Sequence, residues 1–454
     1  MQSALSCGAT TDHISLFLRQ PVLAVPESDR LSDDDDARQR AALTRRAWLA
    51  GVAGALGAAA LGDHPASAGA QSTAPSSGSV PSARVPGAPT SPVGHRSPFV
   101  HATRSPTGAV AGSSNTPLQD LTGTITPSGL HFEVHHAGVP AIDPGHHELL
   151  IHGLVDRPTI FTLSDLRRLP QVTRVHFIEC AGNGVRGWGA NTFGRPDPGL
   201  TPQQVAGMVS NSEWTGVPVR VLLDEAGARP DATWMLAEGG DACLLARSIP
   251  VEKALDDALV VWAQNGEPLR PEQGFPIRLL LPGWEGNTNV KWLGRLELGT
   301  RPWMTRWETA TYTDPLANGT ARQFSFEMDA KSIITSPAYP ETITPGWNLI
   351  TGLAWSGRGR IRRVEVSVDA GGTWSDAALQ DPALRKAHVR FTQMWKWNGG
   401  ETAIMSRATD DTGYVQPTRA ELIRVRGPGT LYHYNPIYGW RVMPNGRVFF
   451  HGAT

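Results

Sequence analysis

One cysteine stands where this chain could do chemistry. Cys180 follows the apolar run Thr173 to Ile178 and opens a glycine-rich turn, Glu179-Cys180-Ala181-Gly182-Asn183-Gly184. Glycines at 182 and 184 let the backbone come close to a large ligand. Three readings stand at this point. Cys180 is a buried small hydrophobe, or a disulfide partner of Cys243, or a thiolate aimed at a metal or substrate. In the third reading, open backbone amides and nearby Arg186 would lower its pKa. Histidines at 131, 135, 136, 152 and 176 raise a Cys–His nucleophile as an alternative, but no cysteine-protease signature surrounds Cys180. Three cysteines in all (Cys7, Cys180, Cys243) are too few for a disulfide scaffold, a zinc cluster or a cysteine-ligated iron–sulfur centre. No Cys-x-x-Cys-His occurs, so no c-type haem is attached to this chain.

The elements that must position this turn fall into two regions. With 454 residues, 40% hydrophobic and 18% charged, the chain can bury a core. Its 41 basic and 42 acidic residues leave no basic excess for general nucleic-acid binding. Fifteen Trp, 48 Gly and 36 Pro favour loop-rich β structure over a helical bundle. From Leu149 to Gly299, short apolar runs alternate with turns and helical stretches: strands at Glu148–Gly153, Thr173–Ile178, Ile277–Leu281 and Val290–Leu298, and helices at Thr162–Leu169 and after Pro218. This reads as a mixed α+β region. Beyond Thr344-Pro345-Gly346 the runs Asn348–Ala354, Arg360–Val368, His388–Trp397 and Glu401–Asp410 read as strands of an immunoglobulin-like β-sandwich.

Ahead of both lies an address. Thr44-Arg45-Arg46-Ala47-Trp48-Leu49 is a twin-arginine signature, followed by a weakly apolar stretch to Leu61 and a small-residue cleavage site at Ala68-Gly69-Ala70. That stretch falls short of the ~20 residues a membrane span needs, so the expectation is periplasmic export without a membrane anchor. From Gln71 to Thr116 the chain is mostly Ser, Pro, Gly and Ala and reads as a disordered linker.

Several segments together resemble a known family. His176-Phe177-Ile178-Glu179-Cys180-Ala181-Gly182-Asn183 is similar to the cysteine motif of the sulfite oxidase family of molybdenum enzymes. So are Phe132-Glu133-Val134-His135-His136, Gln273-Gly274-Phe275-Pro276-Ile277-Arg278, Pro282-Gly283-Trp284-Glu285-Gly286 and Asn289-Val290-Lys291-Trp292. In the β region, Val366-Ser367-Val368-Asp369-Ala370-Gly371-Gly372-Thr373-Trp374 matches as well. The resemblance runs in order from about Pro117 to Val442 and is strongest to the sulfane and sulfite dehydrogenase molybdenum subunits of SoxC type. Beyond the signal region (1–70) and linker (71–116) read above, it implies a molybdopterin-binding oxidoreductase domain over 117–325 and a dimerisation β-sandwich with a C-terminal tail over 326–454.

By this resemblance Cys180 is the protein's thiolate ligand to molybdenum, which is held otherwise by a pyranopterin (molybdopterin) dithiolene. His135, His136, Asp241, Arg278 and Lys291 would meet the cofactor. Tyr312 would hydrogen-bond near the reacting oxygen, and Arg426 would bind an anionic substrate. The implied reaction is oxygen-atom transfer to sulfite or a protein-bound sulfane sulfur. Its electrons would pass to a periplasmic c-type cytochrome, the protein acting as a homodimer. Val134 stands where the family commonly has arginine, and Arg186 lies one position from another family arginine at Val185. A pocket short of these cations should bind free sulfite weakly. The readings from other classes are a molybdenum reductase of oxidised sulfur or nitrogen compounds, and a non-catalytic periplasmic binding protein built on the β-sandwich.

Overall fold

The computed structural model describes residues 88–189, 197–316 and 318–454. The twin-arginine segment, the cleavage site and the first part of the linker lie outside them. Among the described residues the chain is mostly sheet with a few short helices, none longer than the 8 residues of Val219–Ala226 and Arg419–Arg426. The helical share is smaller than the α+β reading expects, because helices are cut short by local stops. The helix Val219–Ala226 starts directly after Pro218 and ends on Gly227 at φ 71°, a left-handed position that glycine takes without strain. It buries Val219, Leu222, Leu223 and Ala226, one stripe at helical spacing.

Two five-stranded sheets build the first region. In one, Val172–Glu179 pairs antiparallel with Val209–Pro218, which pairs with Leu259–Gln264 and through it with Arg278–Leu280. In the other, Leu293–Gly299 lies between Glu148–Gly153, its parallel partner, and Trp234–Gly239, which pairs with Ala246–Pro250. Leu149, Ile151, Val217, Leu222, Ile249, Leu279 and Leu296 form the core they share. The strand expected from Val290 begins only at Leu293. Val290 to Trp292 instead form a bend, with Trp292 at φ 53°, and that bend carries Lys291.

The expected linker stops short of its predicted end. Ser105–Pro106 and Gly112–Asn115 form a three-stranded sheet with Glu133–His135. Thr116 is buried, its hydroxyl 2.6 Å from that of Ser210. Composition missed this because backbone pairing, not apolar side chains, holds the segment. Its effect is to fix the strand that carries His135.

In the second region Gly346–Trp355 pairs with Lys331–Ser336 and Val389–Trp397, and Ile361–Ser367 pairs with Thr402–Asp410, which continues to Tyr438–Val442 and Val448–Ala453. These two sheets share one core of Ile350, Trp355, Val364, Val366, Phe391, Ile404 and Trp440. Val364 and Val366 point inward as their alternation predicts. Between them Glu365 is also covered, paired with Arg407 at 2.8 and 3.0 Å.

Candidate active site

The antiparallel pair Val172–Glu179 and Val209–Pro218 delivers Cys180. Phe177 and Ile178 bury the end of the strand, and the Cys180 amide donates to Met208 O at 2.9 Å. The chain then reverses, with Asn183 N donating to Cys180 O at 2.9 Å. Gly184 has φ 103°, and a Cβ there would stand 2.5 Å from the Tyr438 hydroxyl, so only glycine fits. The turn therefore places Cys180 in the wall of a cavity.

The disulfide reading of Cys180 is overturned here, and the acidified thiol of the third reading is corrected. Cys180 and Cys243 are both free, and the Cys243 thiol donates to Asp241 Oδ2 at 2.8 Å. Arg186 is solvent-exposed and does not line the cavity. The Cys180 thiol is accordingly not acidified: burial pushes it up to about 11, against a donated hydrogen bond from the turn, with Glu179 and Glu285 adding to the rise. A thiol in this setting gives up its proton readily only to a cation that replaces it, as a metal does.

His135, His136, Asp241, Arg278, Lys291 and Tyr312 line the same cavity. Arg278 is buried, stacks 5.3 Å above the Trp214 ring, and donates to Gln273 O and Asn289 O, each at 3.0 Å. Its Nε has no partner. Lys291 Nζ donates to Val134 O (3.0 Å), Glu272 O (3.1 Å) and His135 Nδ1 (2.8 Å). Because His135 Nδ1 must accept there, its Nε2 carries the proton that reaches Glu133 Oε2 at 2.9 Å. Among the described residues neither Arg278 nor Lys291 has a carboxylate within ion-pair distance, so a buried and a half-buried cation share one cavity with only more distant carboxylates, those of Glu133 and Asp241 among them, to offset them. Burial lowers Arg278 to about 9; burial and then Arg278 lower Lys291 to about 7. Such a pair calls for a bound anion.

That depression gives a pH dependence. Between about 7 and the ordinary lysine value of about 10.4, the unfolded chain holds a proton that folded Lys291 lacks. Cofactor-free protein should therefore gain stability as pH rises through this window, and an anion bound beside Lys291 should flatten the gain. Urea unfolding at pH 7, 8 and 9 measures both, and Lys291→Met should reduce the slope. An identical slope in that variant would refute the assignment.

Tyr312 lines the cavity beside His136. It takes a left-handed backbone (φ 55°), its amide donates to the Tyr432 hydroxyl at 3.2 Å, and its own hydroxyl lies 2.9 Å from His136 Nε2. Burial raises Tyr312 well above its ordinary value, and burial followed by Lys291 lowers His136, so a protonated phenol faces a neutral imidazole. Arg426 is not part of this group. Its guanidinium is held outside the cavity lining by Asp329 at 3.3 Å and Asp314 at 3.7 Å.

Arg247 escaped sequence reasoning, and His131 was read there only as a possible partner of a nucleophilic cysteine. Arg247 is buried on Ala246–Pro250, its Nη2 donating to Glu285 Oε1 at 3.1 Å, its Nε 3.5 Å from Glu308 and its guanidinium 5.4 Å from the Tyr312 ring centroid. Its signal was alternation: residue 247 shares a strand face with buried Ile249. His131 lines the cavity with Nδ1 directed at Phe132 O at 2.9 Å. A carbonyl only accepts, so the proton is on Nδ1, and Nε2 is a lone pair without a partner. Burial lowers His131 to about 3 and keeps it neutral.

The donor set fits a molybdenum pyranopterin: one thiol for a soft metal, two cations for a phosphate, and an unpaired acceptor and an unpaired guanidinium N–H for the pterin edge. Comparisons with known proteins agree. Residues 136–307 match the family model "Oxidoreductase molybdopterin binding domain", and residues 322–438 match "Mo-co oxidoreductase dimerisation domain". The chain is similar to mitochondrial sulfite oxidase of Rattus norvegicus, 31% identical over 328 residues, covering 67% of this chain and 59% of that protein. It is also similar to the NADH nitrate reductase of Ulva prolifera, 30% identical over 363 residues, covering 68% of this chain and 40% of that protein. It thus spans about six-tenths or less of these curated relatives. The crystal structure of the sulfane dehydrogenase SoxCD from Paracoccus pantotrophus superposes with TM-score 0.76 at 43% identity, covering 80% of this chain and 93% of that one. The chain belongs to the sulfite oxidase family of molybdopterin oxidoreductases, as a member of SoxC type.

Proposed function

We propose that this protein is a periplasmic, molybdenum-dependent dehydrogenase that oxidises a sulfane sulfur in preference to free sulfite and passes its electrons to a c-type cytochrome. The observation that carries the cofactor assignment is the pair of cations without ion-pair partners, buried Arg278 and half-buried Lys291, on one cavity with Cys180. Bound there, a molybdenum pyranopterin supplies oxygen-atom transfer to sulfur and a two-electron sink. Cys180 anchors the metal; Arg278 and Lys291 receive the phosphate; His131 accepts from the pterin. Tyr312 donates its phenolic proton toward the reacting oxygen, and His136 fixes that hydroxyl from behind. Export by the twin-arginine route, the cytochrome acceptor, an immunoglobulin-like form for the two C-terminal sheets and a homodimer through them complete the reading.

Charge around Tyr312 supports the choice of substrate. Position 134 is a valine, Arg426 is neutralised by Asp314 and Asp329, and Arg247 lies between Glu285 and Glu308. Neither arginine is therefore free of carboxylates for a small dianion, although the exposed Arg306, whose charge reaches His136, has no carboxylate within ion-pair distance among the described residues. A neutral or singly charged sulfur on a larger carrier suffers least from that. Molybdenum analysis, followed by assay with sulfite and with a protein-bound persulfide using ferricytochrome c as acceptor, tests the reading. About one molybdenum per chain and faster turnover of the persulfide are expected. A metal-free protein, made where the cofactor is available, would sink it. Val134→Arg should lower the sulfite KM about tenfold, the value of one added charge-assisted contact. An unchanged KM would refute the charge argument.

A further inference from the structure

Glu179 precedes the proposed metal ligand but does not line the cavity, and it is fully buried. Its Oε1 accepts from Lys331 Nζ at 2.8 Å and Asn183 Nδ2 at 2.8 Å; its Oε2 accepts from Trp355 Nε1 at 2.6 Å. Lys331 also donates to Asn183 O at 3.0 Å and sits 6.0 Å from the Trp355 ring centroid. Asn183 closes the Cys180 turn and, through Oδ1, accepts from Met208 N at 3.1 Å. Lys331 and Trp355 belong to Lys331–Ser336 and Gly346–Trp355 in the second region. One carboxylate thus ties the turn that presents the Cys180 sulfur to two paired strands of the C-terminal sheets.

A buried ion pair is seldom a net gain in stability over apolar residues of equal volume, but it fixes geometry because each donor must meet its acceptor. We propose that Glu179 and Lys331, with Trp355 as third member, are positioning residues that hold the Cys180 sulfur in place for molybdenum and make that position depend on the docking of the C-terminal sheets. The proposal rests on Cys180 being the metal ligand. None of the three touches the reacting atoms.

The test is the double variant Glu179→Gln/Lys331→Met, which removes both charges together, alongside Trp355→Phe, which removes one donor and keeps the ion pair. Two readouts apply to each folded variant. In cofactor-free protein, iodoacetamide alkylation of Cys180 is followed by mass spectrometry, peptide by peptide, so that Cys243 is counted apart. In cofactor-loaded protein, the electron paramagnetic resonance g-values of the half-reduced metal report the sulfur's orientation. We expect a native-like melting temperature, a rise of about tenfold in Cys180 alkylation and shifted g-values in the double variant, with a smaller change in Trp355→Phe. A purely structural role would change melting and leave both readouts alone. Native alkylation and native g-values in the folded double variant would overturn the proposal. If the double variant does not fold, the same two readouts on Trp355→Phe decide. Alkylation needs no cofactor, so a metal-free wild type would defeat the functional reading and leave this result interpretable.

Discussion

Cys180→Ser should fold and melt close to the wild type yet lose at least about a thousandfold in sulfur-oxidising kcat, some 4 kcal/mol of transition-state stabilisation. The fold survives because the side chain makes only part of a small cluster around Phe132, Ile178 and Trp214, and serine has nearly the same volume. Chemistry does not survive, for two reasons. Serine oxygen is a hard donor with a far higher pKa than a thiol, so it replaces neither the softness nor the charge of a thiolate on the metal. The thiol itself is pushed up to about 11 by burial, so a serine in the same place stays protonated beside Glu179 and Glu285. Steady-state turnover, scaled to bound molybdenum in each preparation, measures the effect. A variant retaining a tenth of wild-type kcat per molybdenum would refute the assignment of Cys180 as ligand.

Arg278→Met separates cofactor binding from folding. Methionine keeps most of the side-chain volume and removes the cation. Two carbonyls, of Gln273 and Asn289, lose a donor, at about 1–3 kcal/mol each, and the stacking on Trp214 goes with it. Against this, the cofactor-free protein is relieved of a buried cation that has no counter-ion, a state costing several kcal/mol. The two nearly offset, so cofactor-free variant and cofactor-free wild type should melt within a few degrees of one another. Loaded protein tells a different story. The cation proposed to meet the phosphate is gone, and cofactor retention through gel filtration should fall about a hundredfold. Molybdenum and pterin content per chain are the readouts. Full retention would mean that Arg278 serves something other than the cofactor's anion.

Much of this architecture is legible in the chain. Cys180 at a strand end before two glycines, the apolar alternation at Val364 and Val366, and the helix after Pro218 are local patterns with local causes. The structure gathers His135, His136, Asp241, Arg278, Lys291 and Tyr312 around one cavity with Cys180. Arg426 shows where local reading fails. As sequence it is a free arginine near a glycine. Folded, it meets Asp314 and Asp329, 112 and 97 positions back along the chain, and spacing carries no trace of either partner. Arg186 misled for a related reason: one residue from a family position, it points to solvent, because a short helix changes facing by about 100° per residue.

By itself, then, the sequence determined which residue types could bind a soft metal and an anion, and that strands and glycine turns would present them, because backbone propensity and side-chain chemistry are carried residue by residue. Tertiary structure decided which charges remain available. Carboxylates remote in sequence cancel Arg426 and Arg247, none reaches Arg278 or Lys291 among the described residues, and Lys331 crosses 152 positions to fix Glu179 beside the cysteine. Solvation and charge pairing depend on what lies within a few ångströms, and in this chain those neighbours are brought together only by the packing of its sheets.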